Sequence, residues 1–281
     1  MMRWIAAFAT CLALQTTNLS KQTTSLDMQR DPARLEAAAV AIVTSGNAEA
    51  IQKLATHLGR PTFLRRLDPD RNGQPDLSHL LHVFRALAEH PNAATESLCM
   101  ALARNAGFRA VPERLNLLLN ALAAVRPMSE EATAIFRDTS RSGYLEVNGP
   151  LLARNASTAA LALLEELLSD ESLDIEARVE VAHRGLLPVR TDGAVVAMCA
   201  RVTVSRLVSR QVRTAIAETL FDYQPRQWFG VAANQPTPPA WKSAAEPARN
   251  ALRSLGETLL GQPDVPANLR TAILTALAQL H

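Results

Sequence analysis

Asp68, Asp70, Asn72 and Asp76 fall within LDPDRNGQPDLSHLLHVF, residues 67–84. Oxygen-bearing side chains alternating around a glycine are what a hard cation asks for. A calcium loop sets oxygen donors at positions 1, 3, 5, 7, 9 and 12, with glycine at position 6. Counted from Asp68, position 3 is Asp70, position 5 is Asn72, position 6 is Gly73 and position 9 is Asp76, with the Gln74 carbonyl available at 7. The second half departs from that pattern. Pro75 holds position 8, and His79 stands at 12 where a bidentate glutamate belongs. The same residues also satisfy a structural reading. Pro69, Asp70, Asn72 and Gly73 are turn formers, and Asp76 suits the N-cap of a helix over 77–90. Ca²⁺ at Asp68, Asp70, Asn72 and Asp76, or a capped turn, are the two readings of this stretch.

Other chemistry-bearing residues are sparser. Asp76, His79 and His82 recur at i, i+3 and i+6, which brings side chains near one helix face and raises zinc binding. Leu77, Leu80, Leu81, Phe84, Leu87 and Ala88 form the apolar stripe of that helix, and both histidines fall off it, as solvated surface groups do. Cys11, Cys99 and Cys199 have neither metal nor disulfide spacing. Cys99 in ESLCMALA and Cys199 in VVAMCARV read as small buried hydrophobes. His183 in VEVAHRGLLP has no partner that sequence identifies. Glu165 and Glu166 are neighbours on a helix, point in different directions and read as a solvated face. The sequence contains no GxSxG, P-loop, GxGxxG or HExxH motif, so no catalytic residue is assigned.

The segment FDYQPRQWFGVAANQPTPPAWKS, 221–243, gathers Phe221, Tyr223, Trp228, Phe229 and Trp241 among prolines. Aromatics and arginine are the residues that dominate protein interfaces, and long irregular insertions often carry function. Tyr223, Arg226, Trp228, Phe229 and Trp241 are therefore the candidate partner-binding residues. Their structural alternative is aromatic packing that seals an edge of the fold.

These residues need elements to position them, and the elements are helices. The apolar content is largely Leu and Ala, aromatics make up 4% of the chain and there are 11 glycines. Leu and Ala favour helix, and few glycines argue against the many tight turns of a sandwich or barrel. Past residue 30 apolar residues recur at spacings of three and four. That period predicts helices over 33–45, 47–58, 77–90, 93–105, 112–124, 129–138, 157–169, 173–187, 193–208, 210–222, 245–260 and 266–280. Ser129 before two glutamates reads as a helix start. SRSGYLEVNGPLLARNAS, 140–157, reads as an irregular connector turning at Asn148-Gly149. Asn155-Ala156-Ser157 within it is a glycosylation triplet, and Asn155 or Ser157 also suits a helix cap.

Two helical segments repeat one another. VRTAIAETL at 212–220 matches LRTAILTAL at 269–277: an aliphatic residue, Arg, two residues, an aliphatic, three residues, Leu. ARVEVAHRGL at 177–186 fits more loosely and starts 35 positions before the copy at 212. Over 157–281 the pattern resembles HEAT and armadillo repeats. That resemblance implies a right-handed α-solenoid of stacked antiparallel helix pairs, in which each pair buries its apolar face against the next. It further implies a non-enzymatic scaffold for protein–protein interaction, although fold alone does not establish function. HEAT-like DNA glycosylases and bilin lyases supply the enzymatic alternative. A glycosylase would use a basic concave face, and Arg178, Arg184, Arg201, Arg206, Arg210 and Arg213 crowd one region, diluted by Glu176, Glu180 and Asp192.

The chain carries 29 basic and 27 acidic residues, a balance that argues against a dedicated nucleic-acid binder. Its start, MMRWIAAFATCLALQTTNLS, has one Arg and then an uncharged run from Trp4 to Leu14. This has the shape of a secretory signal and is too short for a transmembrane helix. The expected organisation is a signal and polar linker over 1–30, then a single helical-repeat domain over 31–281 with an insertion at 223–243. The expected location is periplasmic or secreted, with Met28 as the alternative start of a cytoplasmic chain. A calcium-stabilised envelope protein is a third functional reading.

Overall fold

The computed structural model of the chain describes residues 32–64, 78–221 and 244–280, and every regular element among them is helical. The chain divides into two compact units, with the boundary between Arg126 and Pro127. The calcium-type residues 68–76, the partner-binding candidates 223–241 and the N-terminal run 1–31 lie outside the described residues.

The first unit contains α1 (Pro32–Ser45), α2 (Ala48–Leu58), the single turn α3 (Pro61–Leu64), α4 (Ser78–Glu89), α5 (Ala93–Ala103), the single turn α6 (Ala106–Arg109) and α7 (Pro112–Ala124). Helix α4 packs between α1 and α7, and α5 packs on α2 and α7. Leu35, Ile42, Leu54, Leu80, Phe84, Phe108 and Leu118 are at most 1% exposed and form its core. Asparagines make the joints. Asn47 and Asn92 cap α2 and α5, Asn92 accepting from the Ala94 and Thr95 amides at 2.9 Å. Asn105 donates to the Gly59 carbonyl at 3.1 Å while accepting from the Phe108 amide. Arg114 is buried and donates to the carbonyls of Leu64 and Gly107 at 3.0 and 3.3 Å. Burying a guanidinium is tolerable only with such acceptors.

The apolar stripe of α4 differs from the sequence reading. Leu81 is 52% exposed, whereas Val83 and Ala86 are buried. Contact with helices on two sides widens and rotates the buried face beyond a one-sided stripe. His82 is half-exposed and sits 2.8 Å from the Glu36 carboxylate of α1.

The second unit runs through α8 (Glu130–Thr139), a π turn (Ser140–Tyr144), α9 (Leu145–Asn155), α10 (Thr158–Ser169), α11 (Ile175–Glu180), a second π turn (Val181–Gly185), a 3₁₀ turn (Leu187–Val189), α12 (Gly193–Val204), α13 (Arg210–Leu220), α14 (Glu246–Leu260) and α15 (Ala267–Leu280). Helix α8 packs on α10, α10 on α12 and α12 on α14. In the alternate helices, α9 packs on α11 with its π turn, and both pack on α13. Starts are capped by Ser129, Ser157, Asp174, Asp192 and Ser209, each accepting from an amide of the first turn.

The arginine of the sequence repeat has a common task. Arg178 donates to the Leu168 carbonyl at 3.4 Å, Arg213 to Val208 at 3.1 Å, and Arg270 to Leu260 at 2.9 Å and Val265 at 3.2 Å. Each reaches back from the first turn of its helix to the end of the preceding helix or the connector behind it. The last carbonyls of a helix lack intrahelical partners; Arg178 and Arg270 supply one at Leu168 and Leu260, and Arg213 ties the connector at Val208.

The expected connector 140–157 is irregular only at its ends; Leu145–Asn155 is helical, and Asn148 and Gly149 lie inside α9. Two interactions override the turn chemistry of that dipeptide. Asn148 is fully buried and its amide donates to Thr139 Oγ1 at 2.8 Å, Ser140 Oγ at 2.9 Å and the Phe136 carbonyl at 3.2 Å. Gly149 is where Val181 closes in: a Cβ there would stand 2.4 Å from Val181 Cγ1. In return Pro150 lies over Gly185, where a Cβ would meet the proline ring at 3.2 Å. The real reversal is at Gly143, φ +96°, and the real stop is Ala156, φ +55°. Asn155 is 1% exposed and its side-chain oxygen accepts from Ser157, so the folded chain hides the glycosylation triplet.

Candidate functional site

The π turn after α11 comes from a one-residue excess. Ile216 and Leu220 of α13 are four apart; their counterparts Val181 and Leu186 are five apart. A π turn holds one residue more than an α turn. The Leu186 amide reaches the Val181 carbonyl at 3.1 Å, and both side chains remain buried. The Ala182 carbonyl accepts instead from Thr219 Oγ1 of α13 at 2.9 Å. This cross-helix bond pins the turn that carries His183. The segment 177–186 is thus one residue longer than 212–220 between these two buried positions.

His183 faces Glu218, with Nε2 3.7 Å from Oε2 and side chains 13% and 16% exposed. Burial lowers the His183 pKa and raises that of Glu218. Desolvation therefore pushes both groups toward neutrality. The pair lies in an open groove of about 860 Å³ lined by Ile175, Glu176, Val179, Glu180 and His183 on one side and Arg210, Gln211, Thr214, Ala215 and Glu218 on the other, with Glu146 and Pro266 at its ends. The two walls stand in the 35-position register of the repeat, residue for residue. Helical spacing puts each set on one face of its helix. That register was the available sequence signal for the His183–Glu218 neighbourhood, because matched positions of stacked helices come side by side.

Most arginines of the Arg-rich region are engaged by neighbouring groups, while Arg206 is exposed. Arg178 is buried on a carbonyl. Arg184 pairs with Glu180 at 2.8 Å and Arg201 with Glu165 at 2.7 Å. Arg210 donates to the Asp264 carbonyl at 2.6 Å, and Arg213 points at its own connector. Glu165 and Glu166 do point apart, and each finds a different helix. Glu165 meets Arg201 of α12, while Glu166 takes a two-point contact from Arg137 of α8 at 2.9 Å. The Arg137 hydrogen bond lowers the Glu166 pKa.

Cys99 and Cys199 are fully buried. Burial raises both thiols, Cys199 to about 12, so neither is a ready nucleophile. Among the described residues no group of three His, Cys, Asp or Glu side chains converges as a metal site, and no helix is long and apolar enough to cross a membrane. No protein-family model, curated protein or solved structure matches the chain.

Proposed function

We propose that this chain is a helical-repeat scaffold, HEAT- or armadillo-like in plan, that binds another protein along the groove between α11 and α13. The observation that carries the reading is the groove itself, open and of about 860 Å³, walled by matching faces of two successive copies of the repeat. Its volume lies in the range of ligand sites, and it mixes apolar Ile175, Val179, Ala215 and Pro266 with carboxylates. The stacked-pair plan is supported by the packing order α8–α10–α12–α14 and by the shared task of Arg178, Arg213 and Arg270. The aromatic segment follows α13 directly in sequence, so Tyr223, Arg226, Trp228, Phe229 and Trp241 are proposed as a second part of the contact. The signal-like run at 4–14 supports a partner met outside the cytoplasm.

Site-specific photocross-linking tests the reading. A photoreactive phenylalanine replaces Thr214 in the groove, Trp228 in the aromatic segment, or exposed Ala162 on α10 as a control. The same partner is expected from the first two positions and none from the third. Labelling from Ala162 equal to that from Thr214, or none from Thr214, refutes groove binding.

A further inference from the structure

We propose that the occupant of the α11–α13 groove is a basic peptide segment of the partner, with a lysine or arginine side chain seated beside Glu218. This rests on the protein-binding reading above and gives the partner a chemistry. The charge of the walls is one-sided. Glu146, Glu176, Glu180 and Glu218 line the groove, and among the described residues Arg210 is the only Lys or Arg in the lining. Arg184 occupies Glu180, and Arg210 is tied to the Asp264 carbonyl. Glu146 and Glu176 have no ion-pair partner among the described residues and are exposed, free to meet a charge arriving from solvent.

Glu218 is the anchor. Its side chain is 16% exposed, and the neighbour at 3.7 Å is the His183 imidazole, whose charged form burial disfavours. Among the described residues no Lys or Arg pairs with Glu218, and a shielded carboxylate is best matched by such a cation. An ammonium or guanidinium supplies it. The long methylene stem of lysine or arginine suits the apolar wall of Ile175, Val179, Ala215 and Pro266, since such stems cover apolar surface while the charged head finds its partner. An acidic segment would meet like charge at Glu146, Glu176, Glu180 and Glu218, a repulsion that also rejects wrong partners. About 860 Å³ is room for several residues and not for an ion alone.

The test is fluorescence anisotropy on the full chain with three labelled decapeptides, alternating Ala with Arg, Gln or Glu. The Arg peptide is expected to bind and the Glu peptide not to bind. Glu218→Gln is expected to weaken the Arg peptide about tenfold, since one well-shielded charge contact corresponds to about a decade in affinity. Glu176→Gln, on the open rim, is expected to cost about threefold. Glu218→Asp keeps most of the binding. A Glu171→Gln, Glu257→Gln double variant removes exposed carboxylates outside the groove and leaves binding unchanged. Equal loss in Glu218→Gln and in that control overturns the proposal, because attraction would then be general. Binding of the Gln or Glu peptide as tight as that of the Arg peptide also overturns it, while the protein-binding reading stands on the Thr214 cross-link.

Discussion

Replacing Gly149 by alanine sets two effects of known sign against each other. Within a helix, Gly→Ala gains about 1 kcal/mol from backbone entropy. At Gly149 the new methyl would stand 2.4 and 2.5 Å from the two Val181 methyls and 3.0 Å from Val181 Cβ. Ordinary carbon contacts need more than 3.4 Å, and Val181 is 1% exposed with little room to retreat. Forcing a methyl into such a contact costs about 1–3 kcal/mol, and a shortfall near 1 Å belongs at the upper end. Packing wins, with a net loss of about 2 kcal/mol. For a unit of this size that lowers the melting temperature by about 4–8 °C. Urea denaturation of Gly149→Ala, Val181→Ala and the double variant measures it. Val181→Ala removes the opposing methyls, so the double variant is expected to be no less stable than Val181→Ala alone, with a coupling of at least about 1 kcal/mol. If Gly149→Ala melts higher than the parent, helix propensity outweighs the contact and the reasoning fails.

Asn148→Ala deletes the donor shared by Thr139, Ser140 and Phe136; a loss of about 2–3 kcal/mol is expected by thermal melts, with Asn148→Leu no better because the buried Thr139 and Ser140 hydroxyl oxygens lose their donor. The His183–Glu218 pair predicts opposite pH behaviour for its two members. Burial raises the Glu218 pKa, so its contribution to stability is complete below about 4.5 and is lost as pH rises through the folded value. Glu218→Gln is therefore expected to gain stability on the parent as pH rises from about 4.5 to 7, read as a widening gap in melting temperature. Burial lowers the His183 pKa, so its contribution is present above about 6.5 and is lost as pH falls through the folded value. His183→Gln is expected to close on the parent as pH drops below 6.5, and parallel melting curves across pH would contradict both assignments.

Helices with regular three-and-four spacing and a capping residue were legible. The segment 112–124 is predicted and observed with the same bounds, and Ser129 and Ser157 cap where side-chain chemistry says they should. The exception is 140–157, where Asn148-Gly149 carries a strong local turn signal that long-range contacts reverse. A buried hydrogen-bond hub and a glycine kept small for Val181 are properties of the neighbour, and local sequence has no access to them. The stripe of α4 went astray for a related reason, since a helix gripped on two sides buries residues that a one-sided wheel leaves out. At the candidate site, Glu176, Glu180, Arg210 and His183 drew attention one at a time. The 35-position register of 177–186 on 212–220 aligns His183 with Glu218, but the one-residue excess of the former loosens the match and hides the pairing from local sequence.

The back-reaching arginines also bear on how quickly and in what order the second unit assembles. Arg213 reaches five residues upstream; Arg178 and Arg270 reach ten. Closing so short a loop costs little chain entropy, and chains dominated by nearby contacts fold fast. Each joint can therefore be completed soon after the start of the following helix leaves the ribosome. The helix behind it waits with open carbonyls only until that first turn forms. Joints of such short reach favour fast, local assembly of each helix with the one before it.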